Sequence, residues 1–215
     1  MRWIDRSDIN QLTTFLKENE NFTPTTFAEI GSWNGRDAVQ IANYWNILPQ
    51  NVYIFEAHPK CYEYIQKTYP GFNSFHVAVT DKTAPVSFNA AVVGKESNIG
   101  MSSLLPLKDP SNFTSELIEV DGWALDEIIK ELKLPPIDLI KIDVEGATDL
   151  VLKGFKENIK NTKYIQIELE TKECWKSQSL YKDITNYMDT LGFKVILDVK
   201  VAHDQNDTLF KNINQ

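Results

Sequence analysis

The chain has 215 residues, a formal net charge of −8 and a sequence pI near 5.0. That length suits one α/β core, and the acidic balance excludes a protein that holds nucleic acid or an anionic membrane mainly through clustered Lys and Arg. A small-molecule or carbohydrate-like partner is the simpler expectation, Cys61 and Cys174 are too few for a disulfide framework or a zinc site, and the absence of a signal-like or membrane-spanning apolar run predicts a soluble, cytoplasmic protein.

In chain order, Ser7 is placed to cap a helix in which Ile9, Leu12, Phe15 and Leu16 follow helical spacing. This predicts a cover helix within residues 1–24, ahead of a main domain at 25–215. Strand-like runs follow at Thr26 to Ile30, Val52 to Phe55, Ser74 to Val79, Ile137 to Ile142, Tyr164 to Leu169, Phe193 to Leu197 and Thr208 to Lys211. Helical segments alternate with them at Arg36 to Trp45, Pro59 to Thr68, Ala147 to Lys153 and Leu180 to Leu191, the last capped by Ser179 and stopped by Gly192. Such alternation predicts an α/β fold with a doubly wound, mostly parallel sheet. Asp81 to Val120 breaks the rhythm and predicts an edge hairpin with a Gly/Ser-rich loop long enough to serve as a lid.

Chemistry concentrates at the ends of the strands. "FAEIGSWNGRD" (27–37) joins an acid, Glu29, to a turn with Gly31 and Gly35 and then to a helix start. Ligands of open α/β sheets sit there, beyond the carboxyl ends of central strands. A nicotinamide fingerprint needs three glycines in G-x-G-x-x-G, whereas this turn has two in G-x-x-x-G. S-adenosylmethionine suits the residues better: its ammonium would face Glu29 and its carboxylate the backbone N–H groups. "VYIFEAHP" ends the second strand at Glu56, placed to accept both ribose hydroxyls, and Ala78 in "FHVAV" leaves room for adenine.

"PPIDLIKIDVEGATDLVLKGF" (135–155) is the most distinctive stretch. Strand alternation puts Lys141 and Asp143 on one side, with Glu145 near the next helix. An ion pair plus a helix-end acid is the alternative structural account of Lys141 and Glu145. At this point the chain resembles the FkbM-type family of S-adenosylmethionine-dependent methyltransferases. "EIGSWNGRDA", "IFEAHP", "FHVAVTD", "GMSSL", "LIKIDVEGATDLVLKG" and "IQIELE" occur in the family's order, between about Thr26 and Lys211. The resemblance implies a class I methyltransferase-like, Rossmann-like fold. It also implies S-adenosylmethionine as cofactor, held by Glu29, Gly31, Ser32, Gly35, Glu56, Ala57 and Ala78, with Asp143 near its methyl group. Trp33 departs from the smaller or polar residue many relatives carry, and Thr148 and Asp149 replace the Glu common after the Gly-Ala pair.

Methyl transfer to a hydroxyl of a small molecule, sugar or glycan needs alignment and removal of the acceptor proton. Asp143 is the candidate base, Lys141 its electrostatic partner or a base once deprotonated, and Glu145 a ligand for the acceptor. Glu168 and Glu170 share one side of a strand, which makes them candidate substrate ligands. An acidic rim is favoured over a Mg²⁺ site, so no metal is assigned. His58 and His76 are expected as turn and strand residues, and Trp123, Trp175 and Tyr181 as packing residues rather than a sugar platform. A nicotinamide-dependent oxidoreductase and a noncatalytic binding module are the alternatives.

Overall fold

The computed structural model describes residues 8–92, 99–109, 111 and 114–215. Ser7, the expected cap, lies outside them, as do residues 93–98 of the expected loop.

Helix α1 (Asp8–Asn19) leads into β1 (Phe27–Ile30), α2 (Arg36–Trp45), β2 (Val52–Glu56), α3 (Pro59–Thr68), β3 (Asn73–His76), β4 (Ala78–Thr80), β5 (Ala84–Ala91) and β6 (Ser115–Ala124). The second half holds α4 (Leu125–Leu132), β7 (Leu139–Ile142), α5 (Thr148–Lys153), β8 (Tyr164–Glu170), α6 (Tyr181–Thr190), β9 (Phe193–Ala202) and β10 (Gln205–Asn212). Seven strands form one sheet in the order β3-β2-β1-β7-β8-β10-β9. The first five are parallel, and β10 runs antiparallel to both β8 and β9.

Side chains alternate across this sheet, so each central strand feeds two cores. Ala28, Ile30, Ile140, Ile142, Ile165 and Ile167 pack with Leu125, Val151 and Ile184 on the face of α4, α5 and α6. Phe27, Ile54 and Leu139 pack on the other face with Ile41 and Ile65, where Leu12 and Leu16 of α1 close the layer. Strand order reverses between β1 and β7, both buried along their whole length. A crevice opens beyond their carboxyl ends for that reason.

Three local expectations are corrected. The run Ser74 to Val79 is two strands: the Val77 N–H still bonds the Glu56 carbonyl at 3.1 Å, and the chain then leaves the main sheet. It pairs as β4 with β6 in a second sheet, β4-β6-β5. The expected hairpin is the antiparallel β5/β6 pair of that second sheet, not an edge of the main one. Helix α6 is capped at Leu180 rather than Ser179, since the Asp183 carboxylate accepts the Leu180 N–H at 3.0 Å. Helix α4, additional to the predicted elements, buries Leu125 and Ile128 and carries Asp126 and Glu127 in its first turn.

Candidate active site

A cavity of about 760 Å³ lies beyond the ends of β1, β2 and β7. Its walls include Glu29, Gly31, Ser32, Glu56, Ala57 and Ala78 on one side, and Lys141, Asp143 and Glu145 on the other. The two sets come from distant parts of the sequence and meet because β1 pairs with both β2 and β7, which puts Glu29 beside Ile54 and Lys141.

The glycine turn is dictated by the neighbouring strand. Gly31 has φ +78, and a Cβ there would stand 2.0 Å from the Asp143 carbonyl oxygen. No side chain fits, and L-residues resist that φ. Gly35 was expected to touch cofactor. It does not line the cavity: it is the N-cap of α2 at φ 73, and its Cβ position faces Ile65 and Tyr69 on the α3 side. Trp33, held at φ 52, does line the cavity, and 38% of its surface is exposed.

Glu29 is 1% exposed and was expected to meet an ammonium of the cofactor. Its carboxylate instead accepts the Ser32 hydroxyl at 2.5 Å and the Ala38 N–H at 3.2 Å, and stands 3.4 Å from the Lys141 ammonium. It therefore holds the turn and the start of α2 together. The Lys141 Nζ also lies 3.0 Å from Asp37 Oδ2 and 3.0 Å from Asp143 Oδ2. Although burial works against its charge, these carboxylates hold its pKa well above the usual lysine range. An ammonium so placed resists losing its proton, which favours Lys141 as the electrostatic partner of Asp143 over a base. One ammonium shared among three acids does not offset the burial of Glu29, whose pKa is pushed up to about 7, first by desolvation and then against the pull of Lys141.

Glu56, 6% exposed, ends β2. Its two oxygens accept the Trp33 N–H and the His58 N–H, each at 2.7 Å. Burial pushes its pKa up to about 7 in spite of those donors. The Ser32 N–H also pulls on this carboxylate, whose oxygens together offer about four acceptor sites, so acceptor capacity remains for a ligand hydroxyl. His58 is a turn residue as expected: its Nδ1 accepts the Lys60 N–H at 3.2 Å, and Nε2 faces the Ala91 carbonyl at 3.2 Å, which requires the Nε2–H tautomer.

At the other wall, Asp143 follows β7, and its N–H donates to the Ile30 carbonyl at 2.9 Å. Asp143, Glu145 and Glu168 offer carboxylate oxygens within 4.8 Å of one another. That spacing would accommodate a divalent cation or the hydroxyls of an acceptor. Glu168 and Glu170, expected as substrate ligands, do not line the cavity. They are each 5% exposed on β8, where Glu168 accepts from Gln205 Nε2 at 2.6 Å and Glu170 from Gln178 Nε2 at 3.0 Å. Burial pushes the Glu170 pKa up to about 7. Trp123 and Tyr181 pack against the core as expected, and Trp175 is 3% exposed against Gly146. Asp37, Ser103 and Gln178 were not found from sequence. Asp37 lay inside the first motif, but only the β1/β7 register reveals Lys141 as its partner.

Strand order, the antiparallel β10 and a cavity at the β1/β7 switch define the class I S-adenosylmethionine-dependent methyltransferase fold. Residues 27–195 match the methyltransferase FkbM domain, and the chain belongs to that family. The 2-O-methyltransferase NoeI of Sinorhizobium fredii (strain NBRC 101917 / NGR234) is 31% identical over 115 residues, 48% of this chain and 46% of that protein. The crystal structure of methyltransferase FkbM from Methylobacillus flagellatus KT superposes with a TM-score of 0.59 at 14% identity, covering 87% of this chain and 43% of that one. Magnesium protoporphyrin IX methyltransferase (ChlM) from Synechocystis PCC 6803 gives 0.56 at 10% identity, over 95% and 77%. The match therefore spans less than half the length of NoeI and of the M. flagellatus protein. Among the described residues no helix is long and apolar enough to cross a membrane.

Proposed function

We propose that this chain transfers the methyl group of S-adenosylmethionine to a hydroxyl oxygen of a small-molecule or carbohydrate-like acceptor in the cytoplasm. The observation that carries the reading is a single cavity bounded by Glu56 on one wall and by Asp143 and Glu145 on the other. The donor set fits the cofactor: Glu56 for the ribose hydroxyls, and Ala57, Ala78, Val77 and Phe88 for the adenine. Bound there, S-adenosylmethionine would supply an electrophilic methyl on a sulfonium. Gly31, Ser32 and Glu29 keep the turn in shape, and Lys141 orients the Asp143 carboxylate.

In this reading Asp143 takes the acceptor proton, a role worth roughly 10²- to 10⁴-fold, and Glu145 holds an acceptor hydroxyl. Glu168 and Glu170 support them from β8. Residues 25–215 form the catalytic unit and α1 its cover. An oxygen acceptor is supported by the 2-O-methyltransferase relative, and a non-nucleic-acid acceptor by the charge of −8. Both cysteines are free thiols, in keeping with a reducing compartment.

Calorimetry of the full chain with S-adenosylhomocysteine and, separately, with NADH tests the cofactor. Binding of the first alone is expected; binding of NADH alone would favour the oxidoreductase. S-adenosylhomocysteine release on a panel of methyl glycosides then separates an enzyme from a binding module, and turnover should survive EDTA.

A further inference from the structure

The motif GMSSL (residues 100–104) has no part in the scheme above, yet hydrogen bonds tie it to both sides of the cavity. The Ser102 hydroxyl accepts the Ala91 N–H at 3.0 Å and donates to the Ile99 carbonyl at 2.7 Å. Ser103 is 1% exposed and exchanges two backbone hydrogen bonds with Asn89, at 2.8 and 3.2 Å. Its hydroxyl donates to the Glu145 carbonyl at 2.5 Å and accepts the Leu105 N–H at 3.0 Å. Further along, an antiparallel bridge joins Leu107 to Trp175, and the Lys108 backbone N–H donates to the Cys174 carbonyl at 2.9 Å. Trp175 in turn lies against Gly146, so close that a Cβ on that glycine would stand 2.9 Å from its Cε3. The Gln178 side-chain Oε1 accepts the Trp175 backbone N–H at 2.8 Å while its Nε2 donates to Glu170. Residues 100–109 therefore hold the Glu145-Gly146 turn twice, at the Glu145 carbonyl through Ser103 and at Gly146 through Trp175.

This turn is one that needs holding. Glu145 has φ 49 and Gly146 φ 82, two successive left-handed residues of which only one is glycine. A non-glycine residue there is held in a disfavoured conformation, which persists where its surroundings over-determine it. The result is that the Glu145 carboxylate stands with those of Asp143 and Glu168. Were the turn to relax to right-handed backbone, that carboxylate would be redirected.

We propose that Ser103 is a positioning residue: its hydroxyl fixes the Glu145 carbonyl, which aims the Glu145 carboxylate at the acceptor and couples the GMSSL segment to the reacting end of the cavity. The catalytic half of this inference rests on the methyltransferase reading; the mechanical half does not.

The test compares the full-length wild type with S103A, S103T, E145Q and S103A/E145Q. Amide hydrogen exchange is read at residues 145–147, and kinetics with the methyl glycoside that gives the fastest turnover. In S103A, exchange at 145–147 should rise and kcat should fall about tenfold, the cost of a misplaced group. The affinity for S-adenosylhomocysteine should stay within about twofold, since a group acting only at the reacting end leaves cofactor binding alone. S103T, which keeps the hydroxyl, should restore both. Because Ser103 acts through Glu145, S103A/E145Q should be no slower than E145Q, a non-additivity that a merely structural serine would not produce. Wild-type exchange at 145–147 in S103A overturns the proposal, and so does full additivity with E145Q. If the wild type binds no S-adenosylhomocysteine, the methyltransferase reading falls, while the exchange comparison still decides whether Ser103 holds the turn.

Discussion

The two ends of the cavity are built by different means. The acid-and-turn part of the Glu56 end comes from two short pieces of chain, residues 27–37 and the end of β2, each a strand that runs into its own turn, with Val77, Ala78 and Phe88 completing that wall by apolar contact alone. The Asp143 end is assembled from the β7–α5 turn, two acids of β8, Gln205 of β10, and the segments 99–109 and 171–178. A locally built wall can be changed residue by residue. A wall assembled from several segments depends on register and on loops that hold one another, so a change in one is felt in the next.

Gly31 belongs to both ends, and Gly31→Val is the harshest way to break the comparison. The new Cβ would strike the Asp143 carbonyl at 2.0 Å in a backbone conformation that β-branched residues resist. We expect a loss of about 3 kcal/mol or more, or failure to fold, read by urea denaturation. A variant of wild-type stability would mean that β1 and the turn after β7 do not approach this closely.

Asp143→Asn separates the ends. It keeps shape and hydrogen-bonding capacity but removes the charge paired with Lys141 at 3.0 Å. Turnover should fall by about 10²-fold or more if Asp143 takes the acceptor proton, with S-adenosylhomocysteine affinity changed much less. Full activity in the Asn variant would remove Asp143 from that role.

The same contrast explains what the sequence made legible. The doubly wound sheet followed from alternating runs, and Phe27, Ile54 and Leu139 lie in the core of strands whose charged residues, Glu29, Glu56 and Lys141, fall towards the carboxyl ends. The glycine turn, Glu56 and Asp143 could be placed because each sits at a strand end within one contiguous motif. The Lys141 partnership with Glu29 and Asp37 could not, since it depends on which strands are neighbours. Nor could the β3/β4 split, where the strand-like run Ser74 to Val79 changes sheets without a turn residue between and pairs with Gly122 and Trp123. The part Gly35 plays as the N-cap of α2 is also set by tertiary packing, against Ile65 and Tyr69. For Glu168 and Glu170 strand alternation gives a side but not a depth: Asp143 and Glu145 line the cavity while the β8 acids lie behind, with a Glu168 oxygen within 4.8 Å of theirs.

Glu56→Ala sharpens the comparison from the other side. It removes the acceptor of the Trp33 and His58 N–H groups as well as the proposed ribose ligand. We expect S-adenosylhomocysteine affinity to weaken by about tenfold or more, the value of two hydrogen bonds to a charged acceptor, while kcat at saturating cofactor stays near wild type. Unchanged affinity by calorimetry would take Glu56 out of the cofactor site.

The smallest expected effect is one the two ends share. Glu29, Glu56 and Glu170 are all pushed up to about 7 from the ordinary carboxylate value near 4.5, with burial the first cause in each. An acid whose pKa rises on folding holds its proton in the folded chain at pH values where the unfolded chain has released it. Between about pH 4.5 and 7 the folded state therefore binds more protons, and stability declines as pH rises through that window. His58, whose pKa burial lowers, works in the opposite direction near its ordinary value, one group against three. Lys141 stays charged throughout. The ligand-free chain should accordingly melt higher near pH 5.5 than near pH 8, each kcal/mol shifting the midpoint by about 2–4 °C for a domain of this size. A bound cation favours the ionised carboxylates, so the stabilisation given by S-adenosylmethionine should grow from pH 6 to 8. That given by S-adenosylhomocysteine, whose sulfur is neutral, should grow less. Glu56→Gln and Glu170→Gln each remove one titrating group, one at each end, and each should flatten the decline of the ligand-free midpoint. Equal pH slopes in the wild type and both variants would show that neither acid titrates in this window.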